Sequence, residues 1–138
     1  MKIYLAGPMS GIKQFNFPAF AKAATKLREL GYEIISPAEM DSPAVQAAAL
    51  KSETGNWVDL PKEETWGSIL AKDVIVIADP TVDGIIAMPK WETSKGARLE
   101  AFIALLTGKK HLLLFDASEH VVPVGPDYFR YQLMRNMP

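Results

Sequence analysis

Cysteine is absent from this chain. That excludes disulfides, thiolate metal sites and a cysteine nucleophile, and it suits a reducing compartment such as the cytoplasm. A charge excess of either sign is missing too: 15 basic residues face 16 acidic ones, for a net charge of −1. Such a balance offers no basic field to a nucleic-acid polymer. No apolar run is long enough to span a bilayer, so no membrane partner is expected. The N-terminal run, residues 1–7, is too short for the apolar core of a signal peptide. His111 and His120 have no ligand-like spacing with acidic residues and read as structural, which gives no reason to expect a metal. What remains is ordinary globular material. The 138 residues are 49% hydrophobic and 22% charged, which predicts one domain over 1–138.

The hydrophobic pattern alternates between strand and helix. Lys2-Ile3-Tyr4-Leu5-Ala6-Gly7 reads as a buried strand, broken by Gly7-Pro8-Met9-Ser10-Gly11. Asn16 can cap a following helix with Pro18 in its first turn; Phe20, Ala24, Leu27 and Leu30 recur at helical spacing, and Gly31 closes it. Residues 32–37 are a second strand. Segment 38–64 reads as a loop-rich insertion that covers a site, with a short helix at 44–50. Residues 66–79 are ambiguous. The β-branched run Asp73-Val74-Ile75-Val76-Ile77 alone would pass for a strand. Trp66, Ile69, Leu70, Asp73 and Ile77 share a helical face, and the helix is the favoured reading. Residues 84–89 are then a third strand, 94–107 a helix and 111–115 a fourth strand. The tail beyond Asp116 reads as irregular, with a short helix at 128–134. This alternation predicts an α/β three-layer sandwich on a mostly parallel sheet of four to five strands, Rossmann-like or flavodoxin-like. Ligands bind such sheets at the carboxyl ends of the strands, where 7–11, 37–41 and 89–96 would gather.

The candidate chemistry lies in those turns. Gly7-Pro8-Met9-Ser10-Gly11 is a tight turn that lets a ligand approach backbone, although a plain β–α turn would look the same. It is neither a Walker loop nor a full dinucleotide fingerprint. Trp91-Glu92-Thr93-Ser94-Lys95-Gly96-Ala97-Arg98-Leu99-Glu100 runs from a polar loop into a helix. Its start is a ready seat for an anion, although Ser94 would serve equally as a simple cap. Glu100 shares a small apolar helix face with Gly96, Ala97, Ile103 and Ala104, an unusual place for a solvated carboxylate. Asp73 lies on an apolar face and needs a partner or a task; a salt bridge to Arg98 is the bland alternative. Two carboxylates facing one pocket can divide nucleophile and acid roles. Tyr4 in the first strand reads as core, with a hydroxyl that wants a partner.

Taken together, Tyr4-Leu5-Ala6-Gly7-Pro8-Met9-Ser10-Gly11, Asn16-Phe17-Pro18-Ala19-Phe20, Ala71-Lys72-Asp73 and the 91–100 motif resemble the nucleoside 2-deoxyribosyltransferase superfamily. The chain looks closest to the branch of nucleoside 5′-monophosphate N-glycosidases and related phage and bacterial proteins. The resemblance runs to about Phe115. It implies that Glu100 is the nucleophile at C1′ of the sugar, that Asp73 assists protonation of the departing base, and that Tyr4 helps place the glutamate. Ser94 falls where the monophosphate hydrolases keep a phosphate-binding serine, and Gly7 and Gly96 would supply backbone donors. Pro8, Met9, Ser10, Gly11, Trp91 and Ala97 complete the expected binding set. The implied activity is hydrolysis of the N-glycosidic bond of a (deoxy)nucleoside 5′-monophosphate, with no cofactor and with a small nucleotide or nucleoside as partner. Base exchange by a deoxyribosyltransferase is the first alternative, and a non-catalytic nucleotide-binding module the second. Family and size suggest a homodimer or a higher even homo-oligomer.

Overall fold

Alternation along the strands divides the core in two. In β1 (Lys2–Ala6), Ile3 and Leu5 face one way while Tyr4 and Ala6 face the other. In β3 (Gly84–Ala87) and the residue after it, Ile86 and Met88 join the first side, and Ile85 and Ala87 the second. In β4 (His111–Phe115), Leu113 and Phe115 lie opposite Leu112. Both faces are thus apolar, as a covered parallel sheet requires. We describe residues 1–62 and 65–137 from a computed structural model of the chain.

Helices cover each face. On the first lie α1 (Phe17–Glu29), through Phe20, Ala23, Ala24 and Leu27, and α3 (Pro43–Lys51), through Val45 and Ala49. On the second lie α4 (Trp66–Ala78), α5 (Lys95–Leu106) and α6 (Pro126–Arg135), through Ile77, Ala97, Ala101, Ala104 and Phe129. The short α2 (Pro37–Met40) follows β2 (Glu33–Ile35). The sheet order is β2-β1-β3-β4-β5, with β5 at Val121–Pro123. All pairings are parallel except β4 with β5. The fold is the expected α/β three-layer, Rossmann-like sandwich with five strands.

Strand order reverses between β1 and β3, so the crevice at their carboxyl ends is the topological switch point. Gly7 follows β1 there. A Cβ on it would come within 3.0 Å of the Met88 side chain, so glycine lets the two strand exits approach.

Several local expectations need correction. Asn16 stands at the N-cap position of α1, yet its side chain does not cap it. Its φ is +62°, and its Nδ2 donates instead to the Pro8 carbonyl at 2.9 Å, tying the β1–α1 turn to the helix start. Segment 38–64 carries the short helix expected at 44–50, as α3, and is otherwise more regular than expected, with the end of α2 and a 3-10 turn at Trp57–Asp59. Glu63 and Glu64 of that expectation lie outside the described residues. The tail carries the short helix expected at 128–134, as α6, but its first part is not irregular: it forms the β4–β5 hairpin. The favoured helical reading of 66–79 holds, with α4 at Trp66–Ala78, despite the β-branched run. Thr65 Oγ1 accepts from the Ser68 N–H, and Ser68 Oγ accepts from the Thr65 N–H, each at 3.0 Å. This reciprocal cap starts a helix. Among the described residues, no helix is long and apolar enough to cross a membrane.

Candidate functional site

Tyr4 points to the α4–α5 side of the sheet, and this decides what it meets. Asp73 projects from α4 and Glu100 from α5, and both helices pack on that face. Tyr4 is fully buried, Glu100 is 5% exposed and Asp73 7%. The Tyr4 hydroxyl donates a short hydrogen bond to Glu100 Oε2. Asp73 lies within hydrogen-bonding reach of both the Tyr4 hydroxyl and the Glu100 carboxyl. Arg98 is not its partner, because Arg98 Nη1 donates to the Glu92 carbonyl at 3.0 Å.

Burial dominates the titration of this cluster. It pushes the Asp73 carboxyl up to about 7, with the nearby Asp41 charge adding to the rise. Burial, then the Asp73 charge, drives Glu100 well above the usual carboxylate range. The Tyr4 hydroxyl is pushed well above its ordinary value by burial and then by the charges of Glu100 and Asp73, so it stays a donor. Like charges this close cannot both ionise freely. The pair therefore holds one shared proton toward neutrality.

Both carboxyls line a cavity of about 580 Å³, within the roughly 300–1,000 Å³ span of small-molecule sites. Gly7, Met9 and Ser10 contribute from the β1–α1 turn, and Ser94, Gly96 and Ala97 from the start of α5. Ser94 Oγ accepts from the Ala97 N–H at 3.2 Å, closing the cap. Lys95 and Gly96 line the same cavity, and their N–H groups precede the first intrahelical bond.

Over residues 1–113 the chain matches the family described as Domain of unknown function (DUF4406). It belongs to that family. Every residue that lines the cavity, from Gly7 to Glu100, falls inside the matched segment of this DUF4406 domain. No curated protein matches the chain.

Three expected binding residues of the DUF4406 domain stand outside the cavity lining. The Pro8 carbonyl accepts from Asn16, and the Gly11 N–H donates to the Gly55 carbonyl at 3.0 Å. Trp91 is 2% exposed and packs against Phe129 with ring centroids 5.1 Å apart, so it belongs to the core. Among the described residues, no group of three His, Asp or Glu could hold a metal ion.

Other lining residues were not named in the sequence as binding residues. Trp66, Ile69 and Leu70 reach the cavity from the α4 face that carries Asp73, and that shared face was the available signal. Trp57 comes from the inserted segment. Its Nε1 donates to Ser10 Oγ at 3.0 Å, and its ring meets Phe15 edge-on at 5.5 Å. Nothing local in the sequence pairs Trp57 with Ser10, because the link is made in three dimensions across 47 positions.

Proposed function

We propose that this protein cleaves the N-glycosidic bond of a (deoxy)nucleoside 5′-monophosphate, in the manner of the nucleoside 2-deoxyribosyltransferase superfamily that the motifs resemble. The observation that carries the reading is the buried Tyr4–Glu100–Asp73 cluster on the wall of the cavity. The two carboxyls line one cavity and are close enough for their charges to couple. Two such carboxyls can divide nucleophile and acid roles.

Glu100 attacks C1′ as the C1′–N bond breaks, and the bonding electrons pass to the base nitrogen. Asp73 delivers its proton to that base. The stronger upward push falls on Glu100, so the shared proton must pass to Asp73 as positive charge builds on the sugar beside Glu100. Contact between the two carboxyls gives it a path, and the Tyr4 hydroxyl holds the negative charge left on Glu100. In the second half, Asp73 takes a proton from water as its oxygen attacks C1′, and Glu100 departs as carboxylate. The 5′-phosphate is assigned to Ser94 and the first-turn N–H groups of α5.

The test is a panel of nucleotides and nucleosides scored for released free base. Glu100→Gln is expected to reduce release on the order of a thousandfold or more. A variant that keeps its activity removes the nucleophile assignment. Adding a free acceptor base separates hydrolysis from transfer, since only transfer yields a new nucleoside. Nucleotide binding without turnover in the unaltered protein would favour a binding module.

A further inference from the structure

We infer that residues 11–16 and 50–57 form one clasp, which undocks as a unit ahead of the rest of the fold and so opens the cavity wall. The clasp is independent of the chemistry proposed above.

Gln14, Phe15 and Asn16 form a left-handed turn, with φ of +58°, +52° and +62°. Their ψ values of 24°, 27° and 15° keep all three in the left-handed helical region. An L side chain there crowds the following carbonyl oxygen, so such residues normally occur singly. Asn16 tolerates the conformation; Gln14 and the bulky Phe15 are strained by it. Backbone held this way persists where its surroundings fix it and relaxes when they leave.

Much of what fixes it comes from the segment at the end of α3 and beyond. The Gln14 N–H donates to the Ser52 carbonyl at 2.7 Å, and Gln14 Nε2 donates to the Leu50 carbonyl at 2.8 Å. The Gly11 N–H donates to the Gly55 carbonyl. Lys13 Nζ lies 3.3 Å from Glu53 Oε2, and Trp57 closes on Phe15 and Ser10. That segment is itself thinly anchored. Glu53, Thr54, Asn56 and Val58 are exposed. Its turn is tied by Ser52 Oγ, which donates to Asp59 Oδ2 at 2.7 Å and accepts from the Gly55 N–H at 3.0 Å. Strain on one side and little apolar burial on the other make a unit of low opening cost. Undocking lets Gln14 and Phe15 relax. Asn16 holds the Pro8 carbonyl, so the movement reaches Met9 and Ser10 on the cavity wall, and Trp57 leaves the same wall. Three lining residues part in one step, which gives a ligand a way in to carboxyls that are nearly buried.

The test is native-state hydrogen exchange of the intact chain, followed by NMR. The Gly11 and Gln14 amides and the Trp57 indole N–H should share one opening constant within about threefold, and each should be about a hundredfold less protected than the amides of β3. The indole reports directly that the wall has parted, since its acceptor is Ser10. Ser52→Ala removes the hydroxyl that ties the segment and changes no side chain in 11–16. It should speed all three protons by the same factor, roughly tenfold, and leave β3 unchanged. If β3 loses protection in that variant, Asp59→Asn, at an exposed position, decides by the same common shift. Three different opening constants, protection equal to that of β3, or a shift confined to one partner of the clasp overturns the inference.

Discussion

Tyr4 and Glu100, 96 positions apart, are joined by a buried hydrogen bond from the phenol to the carboxylate. The bond ties the central strand β1 to helix α5 inside the core, where a lost partner is costly. Tyr4→Phe removes the donor and leaves the ring in place. If Tyr4 is a positioning residue, kcat should fall about 10- to 100-fold with little change in KM. The pH profile should shift upward as well, because Glu100 loses a contact that favours its ionised form. A merely structural role would lower the melting temperature and leave the profile where it was.

Asp73 gives a pH dependence of stability whose sign can be worked out. Its carboxyl titrates near 3.8 in an unstructured chain and at about 7 when folded. Between those values the folded state binds more protons than the unfolded one, so stability falls as pH rises from about 4 to about 7. Asp73→Asn should flatten that decline and raise stability at pH 8 by on the order of 2–4 kcal/mol, to be read from urea melts at pH 5, 6, 7 and 8. Activity should rise through about pH 7 in the unaltered protein, as the pair loses the first of its two protons, and decline only at higher pH when the shared proton leaves. A parallel set of melting curves for the two proteins would contradict the buried, raised carboxyl.

These residues show what a sequence can and cannot reveal. Ile3–Ala6, Gly84–Ala87 and Leu112–Phe115 are continuous apolar runs, and the strand reading follows from hydrophobicity alone. Glu100 and Asp73 are visible as carboxylates on apolar helical faces, and their convergence follows from packing α4 and α5 on one sheet face. The strand β5 escapes because three residues ending in Pro123 carry too little period, and a proline there suits only an edge. Asn16 and Trp57 escape for another reason. Each carries an ordinary local reading, and each is recruited by a loop distant in sequence: Asn16 by Pro8, and Trp57 by Ser10.

Ser94 has two jobs that one substitution can separate. Its hydroxyl caps α5 through the Ala97 N–H, and the proposed function adds a phosphate contact. Ser94→Ala should cost about 1 kcal/mol of stability as a lost cap. It should also raise KM for nucleoside 5′-monophosphates while sparing the matching nucleosides. Equal changes for both substrates would leave only the cap.

The last prediction concerns the clasp that holds Trp57 over the site. The Gly55 carbonyl accepts from the Gly11 N–H, and the Ser52 carbonyl accepts from the Gln14 N–H at 2.7 Å. Gly55 has φ +70°, and a Cβ there would lie 2.2 Å from the Ile12 carbonyl oxygen and 2.6 Å from the Ile12 nitrogen. Backbone atoms cannot yield as a flexible side chain can. Gly55→Ala must therefore displace the segment from the β1–α1 turn, at about 2–3 kcal/mol. Trp57 moves with it, so KM should rise more than the stability change alone predicts at a temperature where the variant remains folded. Gly108 is the control: its φ is +68° but nothing lies within 4 Å of an added Cβ. Gly108→Ala should share the conformational cost without the collision, and it should leave KM unchanged. Equal KM values for the two variants would show that the clasp does not shape the cavity.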